Sequence, residues 1–281
     1  MPTPTKLALD ALSWPVLSRI YGRFTHARLP RPVLRTLIRR YIAHYEIDMS
    51  EYARPVTDYE TMDDFFTREL RAGVRPIEGD TSSLIACADG RLSCFETITD
   101  QGLFQVKDVR YSADVLLGNK ELAKQLLGGT HYTIYLAPRN YHRVHAPCSG
   151  TITSARYWPG RLYPVNDMAR TRIPGLFCQN ERICVEFDTP EGSAAVVMVG
   201  ASFVGQMSLS FTDFVTNQTK ATGPQIRNFP TPIPIARGQE IGIFHMGSTA
   251  VVLHQAPFQT ALGDGDAVCL GQRLGTLDTQ D

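Results

Sequence analysis

Apolar residues in the first 45 positions recur at the spacing of amphipathic helices. Before residue 25 they lie three or four positions apart: Leu9, Leu12, Val16, Ile20 and Phe24. After the break at "RLPRP" a second set shares one helical face: Leu34, Leu37, Ile38, Tyr41, Ile42 and Tyr45. Pro32 suits the first turn of this second helix, where a backbone N–H has no partner within the helix. The pattern predicts two amphipathic helices across residues 7–45.

The pattern changes after the helical segment. In "TMDDFFTRELRAG", Thr61 suits the N-cap of a short helix and Asp64 its third position. From about residue 84, short runs rich in Val, Ile, Phe and Tyr alternate with Gly, Pro and Asn, which is typical of strands separated by turns. We therefore expect an α+β fold in which N-terminal amphipathic helices (1–45) precede a β-rich body (46–281) of sandwich or barrel type.

Charge is unevenly distributed, although the chain has 28 basic and 28 acidic residues. Within the first 45 positions Asp10 is the one acidic residue, against eight basic residues: Lys6, Arg19, Arg23, Arg28, Arg31, Arg35, Arg39 and Arg40. A basic amphipathic helix pair fits three roles. Its apolar faces can dock on the protein core, it can lie in the interface of an anionic membrane, or it can form a mitochondrial transit peptide.

Composition excludes several classes of protein. With 43% hydrophobic and 20% charged residues, the chain has the balance of an ordinary globular protein. It contains no run of 18 apolar residues, so we expect no membrane-spanning helix, and Asp10 and Pro15 interrupt any secretory signal. The six cysteines form no C-x-x-C pair, which favours a reducing compartment over a disulfide framework.

Three short stretches contain residue types that carry out catalysis. They are "ACADGRLS" with Asp89, "APRNYHRVHAP" with His142 and His145, and "HMGSTA" with Ser248. Each stretch is common when taken alone. Together they supply an acid, an imidazole base and a hydroxyl group, which are the parts of a serine triad.

The surroundings of Ser248 differ from those of a typical hydrolase serine. The G-x-S-x-G turn is absent, and Ser248 lies within a strand-like run. Its hydroxyl group can instead attack the carbonyl group of its own neighbour, Gly247. The glycine leaves the approach open, and an intramolecular attack is favoured by proximity.

The two histidines also suggest a metal site. On a strand, His142 and His145 would face opposite sides, whereas on a turn they could share one. No further Cys or His cluster occurs at a recognisable spacing for a closed zinc site. We therefore predict acid/base chemistry for these histidines and no metal site.

The order of these motifs is similar to that of the phosphatidylserine decarboxylases. Seven stretches resemble those of the bacterial enzymes: "YEIDMSEYARP" (45–55), "FFTRELRAGVRPI" (65–77), "ADG" (88–90), "PRNYHRVH" (138–145), "NER" (180–182), "VGA" (199–201) and "GST" (247–249). The resemblance runs from about residue 34 to about residue 275. One departure is Asn140, where an acidic residue is common in the family.

The resemblance implies a proenzyme that processes itself. The chain would be cut between Gly247 and Ser248, giving a β chain (1–247) and an α chain (248–281), with residues 46–281 as the catalytic domain. Ser248 would become a pyruvoyl group, the covalent cofactor of the reaction. Such a cofactor is needed because no ordinary side chain delocalises the carbanion that decarboxylation creates.

The resemblance also assigns roles to single residues. Asp89, His145 and Ser248 correspond to the self-processing triad, in which His145 takes the hydroxyl proton and Asp89 holds the imidazole. His142 is the candidate to protonate the α carbon of the product. After processing, His145 is also free to act as an acid or base.

The implied reaction converts phosphatidylserine to phosphatidylethanolamine and CO2. The implied setting is the cytoplasmic side of the cell membrane, where a peripheral homo-oligomer binds the membrane surface through its N-terminal helices and has no nucleic-acid partner. Three other interpretations are a pyruvoyl-dependent decarboxylase of a soluble amino acid, a non-enzymatic lipoyl-like binding module, and a hydrolase that uses Ser248 unprocessed.

Overall fold

The computed structural model describes residue 13 and residues 22–106, 109–202, 206–216, 223–245 and 248–277. Most of the first predicted helix lies outside these residues, although residues 22–25 are helical. Gly247, on the amino side of the predicted cleavage point, also lies outside them.

Six further helices follow in the described part of the chain. They are α1 (Arg31–Tyr45), α2 (Met62–Phe66), α3 (Ala113–Leu117), α4 (Lys120–Gln125), α5 (Asp167–Arg172) and α6 (Leu176–Gln179). The second predicted helix is confirmed by α1, which has proline in its first turn. The predicted N-cap of α2 is also confirmed, because the Thr61 side chain accepts the N–H of Asp64 at 3.0 Å. Among the described helices, none combines the length and the apolar character needed to cross a membrane.

Strands dominate the rest of the chain. In order they are β1 (Ser83–Ile85), β2 (Gly90–Thr97), β3 (Leu103–Val106), β4 (Val109–Tyr111), β5 (Thr130–Leu136), β6 (Arg143–His145), β7 (Gly150–Trp158), β8 (Arg182–Thr189), β9 (Gly192–Gly200), β10 (Met207–Leu209), β11 (Gln225–Ile235), β12 (Glu240–Phe244), β13 (Ser248–His254), β14 (Phe258–Gln259), β15 (Ala267–Val268) and β16 (Arg273–Leu277).

Eight of these strands form one antiparallel sheet in the order β11-β7-β8-β9-β13-β5-β2-β15. Two three-stranded sheets, β1-β16-β14 and β10-β12-β6, and the pair β3-β4 complete the β structure. The N-terminal helices and the strand-rich body confirm the predicted α+β class. The eight-stranded sheet is open, with β11 and β15 at its edges, so the body is a layered sandwich.

The eight-stranded sheet is buried on both faces. Val252 belongs to the apolar cluster that this sheet forms with the two three-stranded sheets, which contribute Phe244 among others. Val251 belongs to the cluster on the other face, with Leu117 of α3 and Phe177 of α6. Adjacent residues of a strand point to opposite faces, so β13 contributes to both clusters and reads as an almost continuous apolar run.

Helix α1 packs on the protein through its apolar face. Leu34 and Ile38 are buried in a third cluster that includes Tyr141 and Leu270. This face therefore docks on the rest of the protein, which was one of the three roles open to the helix. Val33 and the arginines outside this face, such as Arg39, stay exposed.

Candidate active site

Two of the predicted site residues, Asp89 and Ser248, lie at the ends of strands in the interior of the eight-stranded sheet. β2 and β13 both pair with β5, and Arg91 and Thr249 are in register with the same β5 residue. Asp89 directly precedes β2, and Ser248 is the first residue of β13. Both backbones therefore lie next to the C-terminal end of β5. Two strand spacings separate them, which corresponds to roughly 10 Å. The fold thus brings these distant parts of the sequence to neighbouring positions.

Asp89 is held by an arginine. Arg75 donates from Nε to Oδ1 at 3.0 Å and from Nη2 to Oδ2 at 2.7 Å, and the Leu270 N–H donates to Oδ1 at 2.7 Å. The same guanidinium binds both carboxylate oxygens of Glu51, at 3.0 and 2.9 Å. The hydrogen bonds with Asp89 and Glu51 raise the pKa of Arg75. This ion-pair cluster joins two of the quoted stretches, because "YEIDMSEYARP" and "ADG" each supply one carboxylate to the same arginine.

His145 has both ring nitrogens occupied. Nδ1 lies 2.8 Å from the carbonyl oxygen of Gly238, and Nε2 lies 3.2 Å from the hydroxyl oxygen of Tyr141. A carbonyl oxygen only accepts, so Nδ1 carries the proton and Nε2 accepts from Tyr141. Burial lowers the pKa of His145, which keeps the ring neutral. Nε2 can therefore act as a base when the Tyr141 hydroxyl group no longer donates a hydrogen bond to it.

The contact expected between Asp89 and His145 is not made in the described part of the chain. The carbonyl group of Gly238 holds the imidazole tautomer, which is the role predicted for Asp89. Asp89 is still near enough for its charge to oppose the lowering of the His145 pKa by burial. The structure places the two residues in one neighbourhood, and their action as a triad stays a prediction.

His142 is fully buried, and neither of its ring nitrogens has a hydrogen-bond partner among the described residues. Phe66 stacks on the ring with a centroid separation of 4.0 Å. Burial, reinforced by the positive charge of Arg68, lowers the pKa of His142 to about 3, although the Ala137 and Pro138 carbonyl groups oppose this shift. An unpartnered buried polar group costs free energy, and such groups cluster at functional sites.

The backbone of His142 lies beside the segment that leads into Ser248. Its carbonyl oxygen accepts the N–H of Phe244 at 3.0 Å, at the end of β12. Four residues later β13 begins, which bounds the separation along the chain at roughly 14 Å. His145, in contrast, pairs with Glu240 at the opposite end of β12. Of the two histidines, His142 is therefore nearer to Ser248 along β12.

Arg68 is a site residue that the motif analysis did not single out. It is fully buried, and its Nη2 donates to the carbonyl oxygens of Arg139 at 2.8 Å and Asn140 at 3.3 Å. The Asn140 side chain in turn accepts the N–H of Ala137 at 2.8 Å, so this departure from the family shapes the turn before His142. The available sequence signal was the position of Arg68 just after a helix C-terminus, where basic side chains bind the last carbonyl groups.

A polar cavity of about 490 Å³ opens beside Asp89. Four arginines line it: Arg75, Arg91, Arg139 and Arg170. Five carboxylates line it as well: Glu46, Asp48, Glu51, Asp89 and Asp167. Arg75 and Arg170 pair with carboxylates, whereas Arg91 and Arg139 have no ion-pair partner among the described residues. The cavity therefore offers two arginines that can bind an anionic group, next to carboxylates that can bind a cationic one.

A second, apolar groove of about 400 Å³ lies between α1, α2 and the helical turn at residues 22–25. Most of its lining is apolar or aromatic: Phe24, Leu37, Tyr41, Tyr45, Met62 and Phe66. Arg40 and His44 add polar groups to the lining. Because Phe66 also stacks on His142, one side chain connects this groove with the buried imidazole.

Comparisons with known proteins cover nearly the whole chain. Residues 62–276 match the family model described as phosphatidylserine decarboxylase. The chain is 39% identical to the phosphatidylserine decarboxylase proenzyme of Anaeromyxobacter sp. (strain K) over 274 residues, 95% of this chain and 96% of that protein. It is 36% identical to the proenzyme of Myxococcus xanthus over 272 residues, 96% of each chain. It is 37% identical to that of Methylobacillus flagellatus over 281 residues, 98% of this chain and 99% of the other.

Proposed function

The chain belongs to the phosphatidylserine decarboxylase family, and we propose that it makes its own pyruvoyl cofactor by cleaving itself between Gly247 and Ser248. Its reaction is the decarboxylation of phosphatidylserine to phosphatidylethanolamine. The curated relatives are named as proenzymes, which supports a precursor that is processed before it acts.

The residues around the start of β13 suit a carbonyl cofactor. Joined to the amino group of the substrate, a pyruvoyl carbonyl withdraws the electron pair that the departing CO2 leaves behind. A site of this kind needs a proton donor shielded from bulk water. His142 meets this need, because it is buried beneath Phe66 and neither ring nitrogen has a hydrogen-bond partner within the described parts of the chain. This unpartnered imidazole near Ser248 is the observation that carries the proposal.

In the cleavage step, His145 takes the hydroxyl proton of Ser248 through Nε2, the ring nitrogen that accepts from Tyr141. The serine oxygen forms an ester bond with the Gly247 carbonyl carbon while the peptide C–N bond between the two residues breaks, and the proton passes to the released nitrogen. Removal of the α proton of residue 248 then breaks its Cβ–O bond, which leaves dehydroalanine at the start of the α chain and frees the β chain with a carboxylate on Gly247. Hydrolysis of the remaining dehydroalanine releases ammonia and leaves the pyruvoyl group.

In the decarboxylation step, His142 acts on the substrate. In the absence of substrate, the lowered pKa of His142 keeps its ring neutral, so one ring nitrogen carries a proton that it can donate. The carboxylate of an incoming substrate is an anion, so it favours the protonated ring and raises the pKa again. The ring can then give its proton to the α carbon once CO2 has left. His145 is the alternative acid for this step.

The polar cavity supports a phospholipid headgroup as substrate rather than a free amino acid. Arg91 and Arg139 line it without ion-pair partners among the described residues. Guanidinium groups bind phosphate strongly because their donors form a planar fork. Free serine lacks the phosphate that would use these two arginines.

The apolar groove beside Phe66 supports access from a membrane surface. We assign it to an acyl chain of the substrate, with Arg40 and His44 at the polar headgroup level. Exposed Phe24 and Arg39 lie on the same N-terminal part of the molecule and fit an anionic interface. We place the protein peripherally at the cytoplasmic side of the cell membrane, and the homo-oligomer expected from the family stays a prediction.

The mass of the purified protein under denaturing conditions tests self-processing. We expect two chains, with the smaller spanning residues 248–281 and beginning with a pyruvoyl group that reacts with a carbonyl reagent. The Ser248→Ala variant should remain one full-length chain. A wild-type preparation that stays uncleaved and carries no carbonyl would refute the proposal.

Turnover of phosphatidylserine and of free serine separates the two possible substrate classes. We expect phosphatidylethanolamine from detergent-dispersed phosphatidylserine and no ethanolamine from serine. Turnover of serine alone would assign the cofactor to a decarboxylase of a soluble amino acid instead.

A further inference from the structure

A second cluster of histidines and a carboxylate lies outside the predicted catalytic residues. His245 Nδ1 is 2.9 Å from Asp63 Oδ2, and His26 Nε2 is 3.4 Å from the same oxygen. The three ligand atoms lie within 4.8 Å of one another, and the two imidazole rings are stacked. Asp63 is buried, whereas His26 is exposed on one side and His245 is partly exposed. The cluster is thus formed inside the protein but is open to small solutes.

The second ring nitrogen of each histidine, which points away from Asp63, also lies within hydrogen-bond distance of a partner. His26 Nδ1 lies 2.8 Å from the carbonyl oxygen of Gly22, and His245 Nε2 lies 3.1 Å from the hydroxyl oxygen of Ser208. The Gly22 carbonyl only accepts, so His26 Nδ1 must donate to it. In a neutral ring, Nε2 of His26 then turns a lone pair toward a carboxylate oxygen, and two acceptors face each other at 3.4 Å. Either a proton on His26 Nε2 or a metal ion between the two atoms satisfies this arrangement.

We propose that His26, Asp63 and His245 bind one divalent transition-metal ion of the zinc class. Two imidazole nitrogens and one carboxylate oxygen are ligands that zinc accepts, and a water molecule can complete the coordination. Tetrahedral zinc with bonds of about 2.1 Å requires its ligand atoms to lie roughly 3.4 Å apart. The 3.4 Å from Asp63 Oδ2 to His26 Nε2 matches this spacing, whereas the 2.9 Å to His245 Nδ1 is a direct hydrogen bond that would lengthen by about 0.5 Å when the ion binds. The contacts of the second ring nitrogens to Gly22 and Ser208 are those that orient histidine ligands in metal sites.

The ligands come from three separate parts of the chain. His26 follows the helical turn at residues 22–25, Asp63 belongs to α2, and His245 follows β12. The ion would therefore fasten the N-terminal segment and α2 to the strand end that precedes the proposed cleavage point. Asp63 and His245 are 182 positions apart, so no metal-binding spacing in the sequence indicates this site.

Metal content of the full-length, self-processed protein tests the proposal. The protein is stripped with a chelator and dialysed against ZnCl2, and bound zinc is measured per chain; Co2+ is added in parallel as a spectroscopic probe. Wild type should bind one equivalent more zinc than His26→Gln or Asp63→Asn and, unlike these two variants, should give the intense visible bands of tetrahedral Co2+. The matched control is His44→Gln, which removes an exposed histidine of α1 outside the cluster and should bind as wild type does.

His26→Gln changes an exposed side chain, so its loss of zinc would not arise from unfolding. Equal zinc content in wild type and in both cluster variants would overturn the proposal, as would the absence of any bound zinc or of tetrahedral Co2+ bands in wild type. The uncleaved Ser248→Ala variant should bind the ion equally well. Metal binding can therefore succeed or fail independently of the proposed self-processing.

Discussion

Two histidines three positions apart lie in different environments and should have different roles. His145 has both nitrogens bound and a defined Nδ1–H tautomer, whereas His142 is buried without a partner in the described part of the chain. We expect His145→Gln to leave a full-length chain, because the base for the Ser248 hydroxyl is lost. His142→Gln should still cleave but should decarboxylate at least about 100-fold more slowly, the usual size of a general-acid contribution. Denaturing mass measurement and phosphatidylethanolamine formation separate the two defects.

The opposite substitution pattern would reverse the assignment. If His142→Gln remained uncleaved while His145→Gln was processed normally, His142 would be the base of the cleavage step. Its position beside Phe244, four residues before Ser248, would then explain that result.

Buried neutral histidines should make the fold sensitive to mild acid. Burial lowers the pKa of His142 to about 3 and that of His254 to about 4, from an ordinary value of 6.5. Below pH 6.5 the unfolded chain binds a proton at each site and the folded chain does not, so stability falls as the pH falls. In this range, each histidine should lower the free energy of unfolding by about 1.4 kcal/mol for each pH unit that the pH falls. Urea unfolding between pH 7 and pH 5 measures the slope.

The range above pH 5 isolates the histidines, because most carboxyl groups titrate below it. His254→Asn should reduce the slope by about a third to a half, since His142 and His145, whose pKa values burial also lowers, would be the remaining contributors. A slope unchanged in this variant would show that His254 is protonated in the folded protein or stays neutral in both states.

The partners of single residues were the least predictable part of the site. Asp89, His142, His145 and Ser248 could be selected by residue type and motif order. The arginine that holds Asp89, however, lies 14 positions away, and the Gly238 carbonyl that holds His145 lies 93 positions away. Such contacts depend on how β1, β6 and the loops around them fold together, which no local pattern records.

At the scale of elements, Arg68 connects α2 with the turn that carries His142. It donates to two carbonyl groups of that turn and to the Tyr52 hydroxyl group, entirely out of contact with solvent. We expect Arg68→Met to lower the free energy of unfolding by about 3 kcal/mol, because buried carbonyl groups lose charged donors. It should also slow decarboxylation, since the turn that positions His142 loses its anchor. Urea unfolding and turnover measure the two effects.

An exposed arginine provides the matched comparison. Arg28 pairs with Glu60 at 3.0 Å, but both side chains are largely in solvent, so Arg28→Met should cost less than about 1 kcal/mol. Arg68→Lys keeps the charge and should recover part of the lost activity. If Arg68→Met were as stable and as active as Arg28→Met, the buried guanidinium would have no positioning role.

Helix α1 has a docked face and an exposed basic side, and the exposed side should bind anionic membranes. Near such a surface each basic residue contributes about 1 kcal/mol. Replacing exposed Arg39 and Arg40 by glutamine should therefore weaken binding to phosphatidylserine-containing vesicles roughly thirtyfold at low salt. Vesicle sedimentation measures this change. The double variant Lys120→Gln/Lys124→Gln on α4 removes equal charge elsewhere, and equal loss in both variants would argue against a specific role for α1.

The elements themselves were largely predictable, because helical and strand periodicity are local properties. The amphipathic pattern predicted the start of α1 to within one helical turn, and Thr61 predicted the start of α2. The same pattern could not decide between docking and membrane contact. A face with Leu34 and Ile38 suits either neighbour, and its burial against Tyr141 and Leu270 depends on the tertiary fold.

At the scale of the whole molecule, the proposed cleavage point separates two parts of the chain whose strands share the same sheets. The part of the chain after the cut supplies β13, β14, β15 and β16, which enter the eight-stranded sheet at two places and one of the smaller sheets. β13 lies between β9 and β5 and pairs with each of them from Ser248 to His254. Apart from the run β7-β8-β9, order along the sheet does not follow order along the chain. The sequence therefore predicted a β-rich sandwich or barrel but not the position of Ser248 within it.

This arrangement predicts that the α chain stays bound after cleavage. Removing β13 would break backbone hydrogen bonds on both sides and expose Val251, Val252 and Leu253, each 1% exposed or less. Burial of each of these side chains contributes about 1.5–3 kcal/mol, and β15 and β16 add further contacts. Gel filtration of diluted, fully cleaved protein should therefore give one species containing both chains, which separate only in denaturant. Loss of the α chain on dilution would contradict the sheet order, because a strand in the interior of a sheet cannot leave without opening the sheet on both sides.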